Sequence, residues 1–495
     1  MKKVLCLIAV VLLISVRFGF SQEEEAEETP SKKELLKDAE SYFEKENYLA
    51  ALLIYLPLDD LDPDIEYKYK IGICYLYKTD EKQKPIEYFE QVLDKKPKTE
   101  DLHFYLGKAY HLNNRFDEAI KSFNDARNKK TSKENEALID RLIENCENGK
   151  ILVAEPLDIE IENMGRPINT EDKEYVPVIS ADESVLIFTY RGEKSTGGLR
   201  NQYAEPDPKG QYYEDIFISY MMENSDNWLE PERIGEAINT HGHDAGLALS
   251  ADGQKLFIYK DTEGSSGDIY VSNLEGYIWS EPVRLDSTIN SEYWEGNVTL
   301  SADENTLYFA SDRPGGLGGR DLYKSTRTPE GNWSEAINMG ATINTPYDDD
   351  SPFIHADAKM LYFSSQGHNS MGGFDIFRSE LQDDGNWSTP ENVGYPINTS
   401  DNDKYYVVSA NGKRGYYSST KLGGYGQHDI YMAHLGKTAK KHALILVKGK
   451  VTANDQPAEA EINVTYADDN IPHEGLYKSN SATGKYIVIL PAESN

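Results

Sequence analysis

Apolar residues in this chain follow two different periods. Between residues 33 and 150 they recur at helical spacing. From residue 151 onward they lie in runs of four to six, broken by Gly, Pro, Asn and Asp, which predicts short strands. The strand region also repeats itself. An Ile-Asn pair opens each unit, at Ile168-Asn169, Ile238-Asn239, Ile289-Asn290, Ile343-Asn344 and Ile397-Asn398. A turn follows at Ser180-Ala181-Asp182, Ser250-Ala251-Asp252, Ser301-Ala302-Asp303, His355-Ala356-Asp357 and Ser409-Ala410-Asn411. Next come an aromatic strand, a glycine loop and an Asp-aliphatic strand at Asp215-Ile216, Asp268-Ile269, Asp321-Leu322, Asp375-Ile376 and Asp429-Ile430. Trp228, Trp279, Trp333 and Trp387 close four of the five units.

Asn239, Asn290, Asn344 and Asn398 are 51, 54 and 54 residues apart. That spacing fits one four-stranded propeller blade of about 40–50 residues with its loops. Five units predict a five-bladed β-propeller over residues 151–438. The first unit is longer, 70 residues from Asn169 to Asn239. Its excess falls within Arg191–Tyr213, a Gly-, Pro- and Tyr-rich stretch that reads as a surface loop. The fifth unit stops at Met432 without a Trp strand, and Asn163-Met164-Gly165-Arg166-Pro167 matches Asn392-Val393-Gly394-Tyr395-Pro396. Residues 155–163 are therefore expected to supply the outer strand of the blade containing Tyr405–Met432, which would remove an open sheet edge.

In the helical region, Gly107, Tyr110, Ala119, Phe123 and Ala126 match the tetratricopeptide pattern of paired helices. Gly72, Tyr75, Phe89 and Pro97 repeat it one unit earlier, and Ala39, Tyr42, Ala51, Tyr55 and Pro63 one unit before that. Three such repeats and a final helix are expected over residues 33–150. Thr131 and Glu134 have the spacing of a capping box, and Gly149 is expected past the helix end.

Lys2-Lys3, the apolar run Val4–Val16, Gly19 and Ser21 read as a secretory signal over residues 1–21, followed by an acidic leader over 22–32 that includes Glu23–Glu28. The apolar run is too short for a membrane helix. Cys6 lies too early to be a lipoprotein cysteine. Lys and Arg number 51 against 84 Asp and Glu, a net charge of −33. Such a surface repels nucleic acid and anionic lipid, so neither is an expected partner. Cys74 and Cys146 fall on the helical repeats and read as core thiols, with a disulfide left open by export.

Several segments resemble catalytic motifs. Gly315-Gly316-Leu317-Gly318-Gly319 resembles a phosphate loop but lacks a following Lys-Ser/Thr, and Gly423-Gly424-Tyr425-Gly426 repeats it at the same blade position. Asp348-Asp349-Asp350 lacks calcium-loop spacing. His241 and His243 lack a third zinc ligand nearby. The Ser-x-Asp-Gly phrase at 250–253 matches the Asp-box of sialidases, a structural turn in those enzymes. No catalytic, cofactor-binding or metal residues are therefore expected, and no partner-binding residue is assigned.

Taken together, the export signal, the helical repeats and a propeller reading Ser-x-Asp-Gly, Leu-Tyr-Phe-x-Ser, Gly-Gly-x-Asp-Ile-Tyr and Trp-Ser-x-Pro resemble the Bacteroidetes OmpA-family proteins, of the PorE-like type found in type IX secretion (gliding) machinery. Val447-Lys448-Gly449-Lys450-Val451 and Thr483-Gly484-Lys485-Tyr486-Ile487-Val488-Ile489-Leu490-Pro491 are similar to that family's carboxypeptidase-regulatory-like domain. The resemblance implies a multidomain chain, α then all-β: tetratricopeptide repeats, a five-bladed WD40-like propeller, and a partial β-sandwich over 443–495. It lacks the family's peptidoglycan-binding domain, and a truncated longer protein is the expectation. The implied role is a non-enzymatic periplasmic scaffold at the outer membrane, without cofactor, whose partners are envelope proteins such as secretion or gliding components. A glycan- or peptidoglycan-binding propeller is the alternative, and a propeller hydrolase or lyase a third.

Overall fold

The computed structural model describes residues 30–77, 81–200, 205–222, 225–261, 266–421, 423–436, 444–465 and 472–491. The signal segment and most of the acidic leader lie outside the described residues. The chain divides into two units, one holding residues up to Cys146 with Pro206–Gln211, the other Glu147–Glu205 and Tyr212–Asn495.

Seven described helices run Lys32–Glu44, Tyr48–Leu61, Ile65–Tyr77, Lys84–Lys95, Leu102–Leu112, Phe116–Arg127 and Lys133–Ala154. Ser31 and Glu34 form a reciprocal capping box on the first. Gly72 and Gly107 let successive helices touch: a methyl at either would lie 2.6 Å from the ring of Phe89 or Phe123, both fully buried. Pro63 and Pro97 follow the second and fourth helices, where a proline cannot continue the backbone pattern. The last helix corrects the expectation. Its cap is Ser132, whose hydroxyl accepts from the Asn135 N–H at 3.3 Å, while the Thr131 hydroxyl donates to the Ala126 carbonyl at 2.7 Å. Gly149 lies inside the helix, which continues to Ala154. A glycine in a helix interior costs only about 1 kcal/mol relative to alanine, so neighbouring helix formers carry the helix through it. Cys74 and Cys146 are both buried. Burial pushes the Cys74 thiol up to about 12.

Five antiparallel sheets form the propeller. Four are continuous in sequence, with inner strands Lys173–Ile179, Asp244–Leu249, Glu295–Leu300 and Asp349–Ile354. The fifth takes Asp403–Val408, Arg414–Ser419 and Asp429–His434 from the end of the array and Glu160–Asn163 from its start. In that pairing Ile161 faces Ala433 and Asn163 faces Tyr431. The predicted closure is therefore present, made by four residues of the 155–163 segment. The closing interface is apolar: Ile430 packs with Ile168, Leu186 and Phe188. Trp279 and Trp333 are buried between blades, each with the aliphatic residues of neighbouring strands.

Part of the Arg191–Tyr213 insertion, residues 201–204, lies outside the described residues. So does the 437–443 connection and the chain end at 492–495. Beyond it, Leu444–Lys450 pairs with Lys485–Pro491 over seven residues, and two further two-stranded sheets lie between. These pairs do not by themselves establish the expected partial β-sandwich. The segment rests on the propeller through Lys448 to Asp182 at 2.8 Å and the Gln254 side-chain N–H to the Lys478 carbonyl at 2.8 Å.

Candidate functional site

The motifs that look catalytic in the sequence are held by the chain's own groups. In the glycine loops the N–H groups of Leu317 and Gly318 donate to Asp321 at 2.6 and 2.9 Å, and those of Tyr425 and Gly426 donate to Asp429 at 2.6 and 3.0 Å. Met371 and Gly372 do the same to Asp375. Each anion-binding nest thus contains a carboxylate already. The Ser-x-Asp phrase is a turn lock: Ser250 Oγ donates to Asp252 at 2.6 Å and accepts from the Lys255 N–H at 2.9 Å. Ser180 and Ser301 repeat it.

Asp348, Asp349 and Asp350 point to three different partners. Asp348 accepts from the Arg320 backbone N–H at 3.0 Å, and Asp349 from Thr345 and Ser365. Asp350 faces Arg320 at 3.0 Å and Lys404 at 2.9 Å. His241 is exposed, whereas His243 pairs with Glu214 and lies 4.6 Å from the Tyr213 ring. Among the described residues no group of three or more His, Cys, Asp or Glu side chains is placed to hold a metal.

In a repeat protein, positions shared by all units maintain the scaffold, so function is sought where the units differ. Five residues after each Asn stands a buried acid at or next to the first position of the inner strand: Glu174, Asp244, Glu295, Asp349 and Asp403. It accepts from the N–H of the residue after the Asn, as Asp403 does from Thr399 at 2.6 Å. The next residue differs in every unit: Tyr175, Ala245, Gly296, Asp350 and Lys404. Here each inner strand also shifts register against its neighbour. In four blades the residue after that has left-handed backbone, with φ of 50° at Val176, 46° at Asn297, 51° at Ser351 and 60° at Tyr405. Such bulges re-aim side chains, and strain of this kind concentrates at functional positions.

The re-aimed side chains converge around the propeller axis. On blades three to five, Asp350 accepts from Arg320, Lys404 and Asn297, the last at 2.5 Å. On blades one and two, Glu214 pairs with His243, with Arg191 at 3.4 Å, and accepts from the Tyr175 hydroxyl. The Tyr175 and Tyr405 rings, 6.1 Å apart, join the two groups. Burial pushes the Asp350 carboxyl up, but the charges of Lys404 and Arg320 outweigh it and bring it down to about 2. Burial likewise opposes, and His243 and Arg191 overcome it, at Glu214, also brought to about 2. Lys173, paired across the strands with Arg191, forms no ion pair or side-chain hydrogen bond among the described residues. Burial and then the Arg191 charge bring its ammonium down to about 8. A cavity of about 110 Å³ continues from Asn297, Ser351 and Tyr405 along the axis to Ile489 of the C-terminal strand.

No protein-family profile matches the chain, and no curated protein matches it significantly. Solved structures match part of the chain. TolB from Acinetobacter baumannii is 14% identical, with 60% of this chain and 69% of that chain covered and a TM-score of 0.30. A glycoside hydrolase is 10% identical, with 58% and 94% covered and a TM-score of 0.39. An α-L-arabinofuranosidase from Lactobacillus brevis is 13% identical, with 54% and 91% covered and a TM-score of 0.35. Likeness at this level concerns propeller architecture and carries nothing about activity.

Proposed function

We propose that this protein is a non-enzymatic scaffold of the bacterial envelope, periplasmic and associated with the outer membrane, that joins protein partners. Its helical pairs act as tetratricopeptide repeats and take one partner segment, and the propeller presents a second surface. A place in type IX secretion or in envelope organisation follows from the OmpA-family, PorE-like resemblance of the sequence. The observation that carries the reading is the occupation of the glycine nests of the third, fourth and fifth units by the chain's own Asp321, Asp375 and Asp429, which speaks for a structural role of those loops. Leu49 and Leu53, one turn apart on helix Tyr48–Leu61 and each 46% exposed, supply an apolar contact for a partner helix.

Pull-down from envelope extracts tests this. The mature chain should retain defined envelope proteins, and Leu49→Glu with Leu53→Glu should release at least one of them while the fold persists by circular dichroism. Recovery of proteins only when a glycan bridges them would overturn the scaffold reading in favour of a glycan-binding propeller.

A further inference from the structure

We infer that the turn-side mouth of the axial cavity is a binding site for an extended partner strand presenting a branched aliphatic side chain, and that the chain's own C-terminal strand fills it in cis through Ile489. Such a site is the propeller surface that the scaffold reading calls for, and it rests on that reading.

All five blades build the cavity alike. On each inner strand its lining runs from beside the bulge to the alanine of the Ser-Ala-Asp-like turn: Ala181, Ala251, Ala302, Ala356 and Ala410. Methyl groups in that ring leave the mouth open. Behind it the walls are apolar, with Val178, Val298, Phe353 and Val407 among them. The far end meets the ion-paired cluster, where Asn297 and Ser351 line the cavity and Asn297 donates to Asp350. An apolar cavity of roughly 150 Å³ holds a benzene-sized guest. The space of about 110 Å³ here therefore suits one branched aliphatic side chain.

Ile489 shows what the mouth accepts. It is buried, and it is the residue of the C-terminal strand Lys485–Pro491 that lines the cavity. The Tyr477 hydroxyl steadies it by donating to its carbonyl at 2.9 Å. Side chains alternate along a strand, so Ile487 shares its face. Polar ties at the rim seat the strand. Lys448, on the paired strand Leu444–Lys450, meets Asp182 at 2.8 Å. The Gln254 amide donates to the Lys478 carbonyl at 2.8 Å, that of Asn480 to the Gly276 carbonyl at 2.9 Å, and the Leu444 N–H to the Ala410 carbonyl at 3.3 Å. These ties reach units one, two and five. The turns of units three and four leave Asn305 and Lys359 exposed, so a competing strand can approach the mouth from that side. Rim ion pairs and hydrogen bonds contribute little each, whereas burial of an aliphatic side chain in the mouth is equally favourable for either strand. A partner strand with the same alternation therefore competes with the cis strand. Its apparent affinity is reduced to the fraction of molecules whose mouth is free.

Fluorescence anisotropy of a labelled peptide with the sequence of Lys485–Pro491, added to the full chain, tests the assignment. Full-chain Ile489→Glu, whose own strand no longer suits the mouth, should bind the peptide at least ten-fold more tightly than wild type does. A peptide carrying the same Ile489→Glu change should bind neither protein. Adding Ala302→Phe to full-chain Ile489→Glu fills the mouth and should weaken peptide binding ten-fold or more, with circular dichroism showing the fold retained; Ala356→Phe replaces it if that variant does not fold. Lys448→Glu, which sets like charges against Asp182 and leaves the strand intact, should raise peptide affinity three-fold or more. Equal affinity of wild type and folded Ile489→Glu would overturn the proposal. So would binding that survives the filled mouth, since the peptide would then be pairing with Leu444–Lys450 instead. The peptide stands in for no envelope protein, so either result leaves the pull-down test of the scaffold reading unaffected.

Discussion

The side-chain amide of Asn169 pairs with the backbone of Ile430 in both directions: Nδ2 donates to the Ile430 carbonyl at 2.8 Å, and Oδ1 accepts from its N–H at 2.9 Å. Asn239 with Ile216, Asn290 with Ile269, Asn344 with Leu322 and Asn398 with Ile376 form the same pair within the continuous blades. Only Asn169 makes it between the two ends of the ring. The Ile-Asn phrase is therefore a latch that fastens the return segment of one blade to its third strand, and the same latch fastens the ring shut.

Asn169→Ala should destabilise the propeller by about 2–4 kcal/mol, because it leaves a buried N–H and a buried carbonyl unpaired at about 1–3 kcal/mol each. Urea denaturation measures the loss, and hydrogen exchange at Asp429–His434 locates it. A loss below about 0.5 kcal/mol would mean that closure rests on the apolar contacts of Ile430 instead.

Removing residues 155–163 should cost more than the single substitution. It deletes the strand Glu160–Asn163 and exposes Asp429–His434 as an unpaired edge. The expected outcome is a lower unfolding midpoint and concentration-dependent aggregation in light scattering. A variant that stays monomeric with an unchanged midpoint would contradict the closure.

Stability should also depend on pH through the buried acids of the inner and third strands. Burial pushes the carboxyls of Glu174, Asp349 and Asp375 up to about 7, against neutral hydrogen-bond donors that lower them only in part. The folded state holds these protons where the unfolded chain, with carboxyls near 4, has lost them. Their contribution is thus full below about pH 4 and fades as pH rises to about 7. Glu214 and Asp350, brought to about 2, act oppositely: their contribution is present above about pH 4 and is lost toward pH 2. Stability should decline between about pH 5 and pH 7.5, and Asp349→Asn should flatten that decline. Parallel profiles for wild type and variant would show that Asp349 is ionised throughout.

What repeats in the chain was readable, and what departs from the repeat was not. The five latches, the turn locks and the Asp opening each third strand recur at fixed offsets, so they announced the blades. The likeness of Asn163–Pro167 to Asn392–Pro396 announced the closure. The bounds of the last helix are ambiguous in the sequence because Thr131 and Ser132 are both competent caps, one residue apart, and because Gly149 can end a helix or be carried within one. The polar cluster at the propeller axis carries no repeated signal. Asp350, Arg320 and Lys404 belong to three different units, and Tyr175 and Tyr405 to two that meet only at ring closure. The signal that marks the cluster is the divergent position after the buried acid, occupied in turn by Tyr175, Ala245, Gly296, Asp350 and Lys404.

The glycine loops offer a last test of the difference between a ligand loop and a structural one. A methyl at Gly318 would lie 1.9 Å from the Tyr347 carbonyl oxygen, at Gly372 2.2 Å from that of Asp401, and at Gly426 2.0 Å from that of Asp172. These neighbours are backbone atoms of the following blade, so no side chain can swing aside. Glycine is required there by close approach between blades and not by a phosphate. Gly318→Ala should therefore lower propeller stability by about 1–3 kcal/mol or more, as overpacking does in a close-packed interior. Gly426→Ala should do the same across the closing interface, where the third strand of the fifth blade meets the start of the first. Neither wild type nor variants should gain thermal stability from added phosphate, because Asp321 and Asp429 already fill the nests. Phosphate-dependent stabilisation of wild type, abolished by Gly318→Ala without loss of basal stability, would return the loop to the class of phosphate-binding sites.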